Sequence, residues 1–176
     1  TRFASMEFAQ CVAEALSGNG VPVALATDPA PTPTLTYQIR SRHAAGAVII
    51  TASHNPPLWN GFKYKPSYAG SATSEITRAL EDEINLARHS VVSSLPLVSG
   101  YDQGVVENID PAPSYLDHLR ELVDTHSLSS AGLRIQIDAM YGSGSGYFPT
   151  LLNGLSTNVT EIHAERNPAF PGIPQP

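Results

Sequence analysis

The stretch "TASHNPPLWNGFKYK", residues 51 to 65, gathers a serine, a histidine, two asparagines and two lysines into fifteen positions. Ser53 supplies a hydroxyl of the kind that acts as a nucleophile when it stands on a rigid, open loop. Lys63 and Lys65 stand close by in sequence and bring positive charge to the same neighbourhood. His54 is adjacent to Ser53, yet adjacency alone is not a catalytic triad. Neighbouring side chains on an extended segment point apart, and no acid is placed to orient the imidazole. On residue types alone, Ser53 reads as a turn serine.

The elements around it decide how such a hydroxyl is presented. "AVIIT" at 47 to 51 is a continuously apolar, branched run, which predicts a strand buried on both faces. Ser53 lies two residues past its end, where ligand crevices of open α/β sheets form. Asn55, Pro56 and Pro57 then lock the turn through the fixed φ of proline. "FKYK" alternates Phe62 and Tyr64 with Lys63 and Lys65, predicting a half-exposed strand with both lysines on one side.

The remaining pattern is α/β alternation. Ser5 is a candidate N-cap for a helix with Ala9, Val12, Ala13 and Leu16 at core spacing, stopped by Gly18 and Gly20. "VPVALAT" predicts a strand, and "DPAPTPT" a turn. A second helix fits from Thr34, with Leu35, Ile39 and His43 along one side, and a third fits 74 to 88 with Ile76, Leu80, Ile84 and Ala87. Residues 89 to 112 show neither period. A fourth helix opens at Pro113-Ser114 and runs through His126 with Leu116, Leu119, Leu122 and Val123 at core spacing. "LRIQIDA", the Gly-rich turn "MYGSGSGY", the short helix of "YFPTLLNGL" and "TNVTEIHA" begin a second α/β unit, and a proline-rich tail follows. These signals predict a three-layer α/β/α first domain with a mixed, mostly parallel sheet at 1–96. A connection with room for a short strand occupies 97–112, and the start of a similar domain occupies 113–176.

Composition narrows the function classes. A formal net charge of −6 in 176 residues argues against a general nucleic-acid partner, which would need a basic face. Arg40, Arg42 and His43 form a local positive cluster that reads as solvated surface. No stretch is apolar for the roughly 18 residues a membrane span needs, and no secretory pattern opens the chain, so no membrane partner is expected. The single cysteine, Cys11, makes no internal disulfide, and a reducing cytoplasmic location is the expectation. "GSGSG" at 142 to 146 lacks the Lys-Ser/Thr of a P-loop and reads as a strand-to-helix turn.

The complete string "TASHNPP" followed by "NGFKYK" resembles the phosphoserine signature of the α-D-phosphohexomutase superfamily, the phosphoglucomutases and phosphomannomutases. "TRFASMEFAQCVAEAL", "PAPTPTLTYQIR", "IDAMYGSGSGYFPTLL" and "ERNPAFPG" extend the likeness over essentially the whole chain. The resemblance implies that Ser53 carries a phosphoryl group, passes it to a hydroxyl of a hexose phosphate, and recovers one from the hexose 1,6-bisphosphate intermediate. It implies that Lys63 handles the hydroxyl proton or the phosphoryl charge. His54 would lie beside the phosphoryl as a donor, while Arg2, Asn55 and Lys65 support loop and substrate. It further implies Mg²⁺ on the serine phosphate, with aspartates of a D-G-D-G-D-R loop that does not occur here. Asp102, Asp110 and Asp138 are metal candidates by residue type only. The chain then looks like a piece of a longer polypeptide whose remainder, through domains 2 to 4, completes the cleft. Two other classes are a non-catalytic sugar-phosphate binding module that keeps the loop, and a serine hydrolase, for which no acid partner is visible.

Overall fold

The apolar runs become strands and the periodic segments become helices, in the alternation the sequence predicts. The computed structural model describes residues 1–173; Pro174 and Pro176 of the proline-rich tail lie outside them. The first unit comprises α1 (Ser5–Gly18), β1 (Val23–Ala26), α2 (Thr32–Ser41), β2 (Gly46–Ile50), β3 (Phe62–Pro66), α3 (Ser74–Ala87), α4 (Leu97–Asp102) and β4 (Val106–Ile109). The second comprises α5 (Ala112–Leu122), α6 (Thr125–Ser130), β5 (Arg134–Asp138), α7 (Tyr147–Leu151) and β6 (Asn158–Ile162).

The α/β class holds, with parallel and antiparallel pairing mixed. β1 pairs with β4 in parallel, and β5 with β6 in parallel. β2 instead pairs antiparallel with β3, setting Ile49 opposite Lys63 and Ala47 opposite Lys65. An eleven-residue connection, 51–61, lets the chain fold directly back, whereas a parallel partner needs a crossover. β1 and β2 are not joined by a ladder; α1 packs on both and bridges them, while α2 packs on β2. Ala13, Ile39, Ile49 and Val106 are buried in this layer, and Ile39 is only 2% exposed.

Several local expectations are corrected. Ser5 opens α1 rather than capping it: the cap position is Ala4 at φ 55°, and the Ser5 hydroxyl accepts the Asn60 amide at 3.0 Å. α2 starts at Thr32 because Pro33 suits a first helical turn, and His43 lies beyond its end, exposed at φ 53°. Arg42 pairs with Glu107 of β4 on the surface. α3 is capped by the Thr73 hydroxyl on the Ile76 amide, yet none of its residues is buried. Its amphipathic spacing suffices to shape a helix but not to supply a partner for the apolar stripe. The helix expected from Pro113 to His126 breaks at Val123, because Asp124 accepts the Ser127 amide and hydroxyl at 3.0 and 2.6 Å and starts α6. Leu116 is buried there, but Leu122 is 68% exposed. Within 97–112 stand α4 and β4, the latter a short strand of the kind the sequence left room for, and β4 pairs with β1 of the first unit.

The two units meet along α2 and α5. Gln38 donates to the Pro111 carbonyl and the Ser114 hydroxyl at 3.0 and 2.8 Å, and the Tyr37 ring stacks on His118 at 4.9 Å. Tyr147 of α7 faces this seam. Burial pushes its phenol above the usual tyrosine range, the nearby Thr34 hydroxyl pulls it down, and Asp110 and Tyr115 add to the rise. Among the described residues no helix is long and apolar enough to cross a membrane.

Candidate active site

β2 delivers the chain to Thr51, whose amide makes the last antiparallel rung by donating to the Gly61 carbonyl at 2.9 Å. Gly61 is required by close approach: a Cβ there would sit 2.8 Å from the Thr51 carbonyl oxygen. Past this rung Ser53 adopts φ 54°, a left-handed conformation that costs a non-glycine residue free energy and recurs at functional sites. Its side chain is exposed, while Ala52 beside it is buried. A serine hydroxyl thus stands in the open on a backbone held from within.

What holds it is Arg2. This guanidinium is 4% exposed and donates four hydrogen bonds into the loop. Nη2 reaches the carbonyls of Ser53 at 2.8 Å and Asn55 at 2.5 Å; Nη1 reaches those of Pro56 at 2.9 Å and Trp59 at 3.0 Å. Burial lowers its pKa, though a guanidinium stays charged at any ordinary pH. The Ser53 amide donates to the Thr51 hydroxyl at 3.0 Å, and the Asn55 amide to the Ala52 carbonyl at 3.1 Å. Asn60 ties the loop to α1 by donating to the Phe3 carbonyl and the Ser5 hydroxyl at 3.1 and 3.0 Å.

Because Ser53 is left-handed rather than extended, His54 does not point away from it. The His54 Nδ1 lies 3.4 Å from the Ser53 Oγ, both exposed. Among the described residues no carboxylate orients this imidazole, so the pair lacks the third member of a hydrolase triad. Lys63 of β3 lies opposite Ile49 of β2, on the same face of their ladder, and alternation puts Thr51 on that face too. No hydrogen bond joins it to Ser53 among the described residues. Lys65 turns to the other end of the strand, where its ammonium donates to the Ser71 hydroxyl at 3.3 Å. Asn55 contributes through its backbone. The sequence reading passed over Thr51 and Asn60, although both lie inside the quoted motif; Phe170, described below, has no local signal.

Among the described residues no three His, Cys, Asp or Glu side chains gather to hold a metal ion. Asp110 accepts the Ala112 amide at 3.0 Å, and Asp138 accepts the Met140 amide and the His163 Nδ1 at 2.9 and 2.8 Å. A hard divalent cation needs about six oxygens. The loop offers the Ser53 hydroxyl without a carboxylate, so its residues alone do not fit a Mg²⁺ cage. In the "GSGSG" turn the Gly146 amide is already filled by the Glu161 carboxylate, at 3.1 and 2.9 Å.

Fold and site together define an α/β protein that presents a strained serine beyond the carboxyl end of β2, a strand in which only Ile49 is buried and the other residues are half-buried rather than covered on both faces. Residues 1–90 match the family model described as phosphoglucomutase/phosphomannomutase, alpha/beta/alpha domain I, and residues 113–176 match that of domain II. The chain belongs to the phosphoglucomutase/phosphomannomutase family. It is 31% identical over 168 residues to a phosphoglucomutase of Komagataeibacter xylinus, covering 89% of this chain and 30% of the relative. It is likewise 31% identical over 167 residues to a phosphoglucosamine mutase of Pseudomonas putida, covering 94% of this chain and 35% of the relative. A putative phosphomannomutase from Thermus thermophilus superposes with a TM-score of 0.83 at 32% identity, over 97% of this chain and 37% of that one. The chain therefore spans about a third of the length of the relatives it matches.

Proposed function

We propose that the protein containing this chain is a phosphohexomutase and that Ser53 is its phosphoryl carrier. The observation that carries this reading is the left-handed, exposed Ser53 whose carbonyl is gripped from below by a buried guanidinium. In the forward step a hydroxyl oxygen of a hexose monophosphate attacks the phosphorus on Ser53. The new oxygen–phosphorus bond forms, the Ser53 Oγ–phosphorus bond breaks, and the hydroxyl proton passes to a base. Ser53 Oγ then receives the phosphoryl at the other end of the hexose 1,6-bisphosphate after the sugar reorients. Such transfer depends on positioning and on neutralising charge. Lys63 is proposed for the proton or the phosphoryl charge, His54 for a hydrogen bond to the phosphoryl oxygens, and Arg2 and Asn55 for the loop's shape.

Mg²⁺ belongs to this proposal only for the whole protein, where it would offset phosphoryl charge; this chain would contribute the oxygens on Ser53. The names of the relatives include glucose, glucosamine and mannose phosphates, so the proposed substrate class is hexose phosphates as a whole. A cytoplasmic location accords with the single, exposed, unpaired Cys11. Intact mass and peptide mapping of the complete protein test the reading: one added phosphoryl on the peptide containing Ser53 is expected. Ser53→Ala should abolish both that addition and mutase turnover with the fold intact. Turnover retained by Ser53→Ala would remove Ser53 from its role. Binding of hexose phosphate with neither phosphoryl nor turnover would favour the non-catalytic module.

A further inference from the structure

Resting on that reading, we propose that Arg2 is a positioning residue that couples the seating of the second unit, through Phe170, to the conformation of the phosphoryl-bearing loop. Arg2 precedes α1 in the first unit, and Phe170 lies in the second, following β6. The Arg2 Cζ sits 5.4 Å from the centroid of the Phe170 ring, which is itself 4% exposed. Phe170 is seated by its own unit: its amide donates to the Asn167 carbonyl at 3.1 Å, and Tyr141 packs edge-on at 6.5 Å. Tyr141 in turn is 6% exposed, donates its amide to the His163 carbonyl at 2.8 Å and tilts against the His163 ring at 4.8 Å.

The guanidinium has no carboxylate partner among the described residues. A buried cation in that position is solvated by whatever faces it, and here that is four loop carbonyls on one side and an aromatic face on the other. The consequence falls on the loop's peptide dipoles. A trans peptide sets N–H opposite C=O, so drawing the Ser53 carbonyl inward turns the His54 N–H outward. That amide has no partner among the described residues and stands beside the exposed Ser53 Oγ, where a phosphoryl dianion would need donors. Phe170 keeps water off the outer face of Arg2, and a hydrogen bond in a drier site competes less with solvent. Unseating the second unit would therefore wet Arg2, loosen its hold on four carbonyls, and let Ser53 relax from its left-handed conformation.

The test uses the complete protein, with Phe170→Leu, Arg2→Lys and the double variant. Amide hydrogen exchange is followed at Ser53, Asn55 and Trp59, whose amides donate to the Thr51 hydroxyl and to the Ala52 and Pro56 carbonyls, alongside kcat and KM. Phe170→Leu keeps apolar volume and removes the aromatic face. It should speed exchange of these first-unit amides about three- to tenfold and lower kcat with little change in KM. The double variant should exceed the larger single effect by little, since both act on one contact. Unchanged loop exchange in Phe170→Leu, or effects that multiply in the double variant, would overturn the coupling. Phe170→Tyr, which keeps the ring, should exchange like the parent and separates a lost aromatic face from misfolding. If the loop amides respond as stated in a protein that carries no phosphoryl on Ser53, the coupling stands and the mutase reading falls.

Discussion

Strain at Ser53 is open to direct measurement by replacing it with residues that tolerate φ 54° to different degrees. For an L-residue the left-handed conformation costs about 1–2 kcal/mol. Glycine removes that cost but adds about 0.5–1 kcal/mol of chain entropy in the unfolded state. Ser53→Gly is therefore expected to be between neutral and about 1.5 kcal/mol more stable than the parent. Ser53→Ala keeps the Cβ and the strain, and loses only a long, exposed contact to His54 at 3.4 Å. It should stay within about 0.5 kcal/mol of the parent. Ser53→Val puts a β-branched side chain where such residues are genuine outliers, and should lose about 1 kcal/mol more. The predicted order is Gly, then Ser and Ala together, then Val, with about 2 kcal/mol between the extremes. For a chain of this size that corresponds to about 4–8 °C in Tm, readable by calorimetry or urea denaturation. All three variants lack the hydroxyl and should be equally dead in phosphoryl transfer. A glycine variant less stable than the alanine one by about 1 kcal/mol or more would refute the strain.

Two further expectations follow from single contacts. The His163 ring, and after it the Met140 amide, hold the Asp138 carboxyl below the usual carboxylate range. A depressed acid stabilises the fold above its unfolded pKa, near 4, and that contribution is lost as pH falls through the folded value. An NMR titration should find Asp138 low in the parent and closer to ordinary in His163→Gln; identical curves would dismiss the pair. Gly61→Ala should drive a methyl against the Thr51 carbonyl, cost about 1–3 kcal/mol and speed exchange of the Thr51 amide. An unaltered Thr51 exchange rate would show that this rung does not depend on the missing side chain.

The candidate nucleophile was legible because its signal is local. Ser53, His54, Asn55 and Lys63 lie within one strand, one turn and the returning strand, and proline fixes the turn between them. The conformation that makes the serine distinctive was not legible: nothing in "TASHNPP" states that φ of Ser53 is positive, and an extended reading sent His54 the wrong way. The break at Asp124 is encoded in side-chain capping, but the hydrophobic period of Leu116, Leu119, Leu122 and Val123 masked it. "GSGSG" reads as a strand-to-helix turn, and only the fold shows that Glu161, fifteen residues from Gly146, occupies the Gly146 amide.

By itself the sequence determined the α/β alternation, the strand that carries the loop, and the exposed hydroxyl at its end, since periodicity and turn chemistry act over a few residues. Tertiary structure alone decided that Arg2 lies beneath Ser53, 51 positions away, and that Phe170 closes over it from the second unit. A buried cation is satisfied by whichever carbonyls and rings the chain path brings to it, and that path is set by packing α1 across β1 and β2, which no local pattern records.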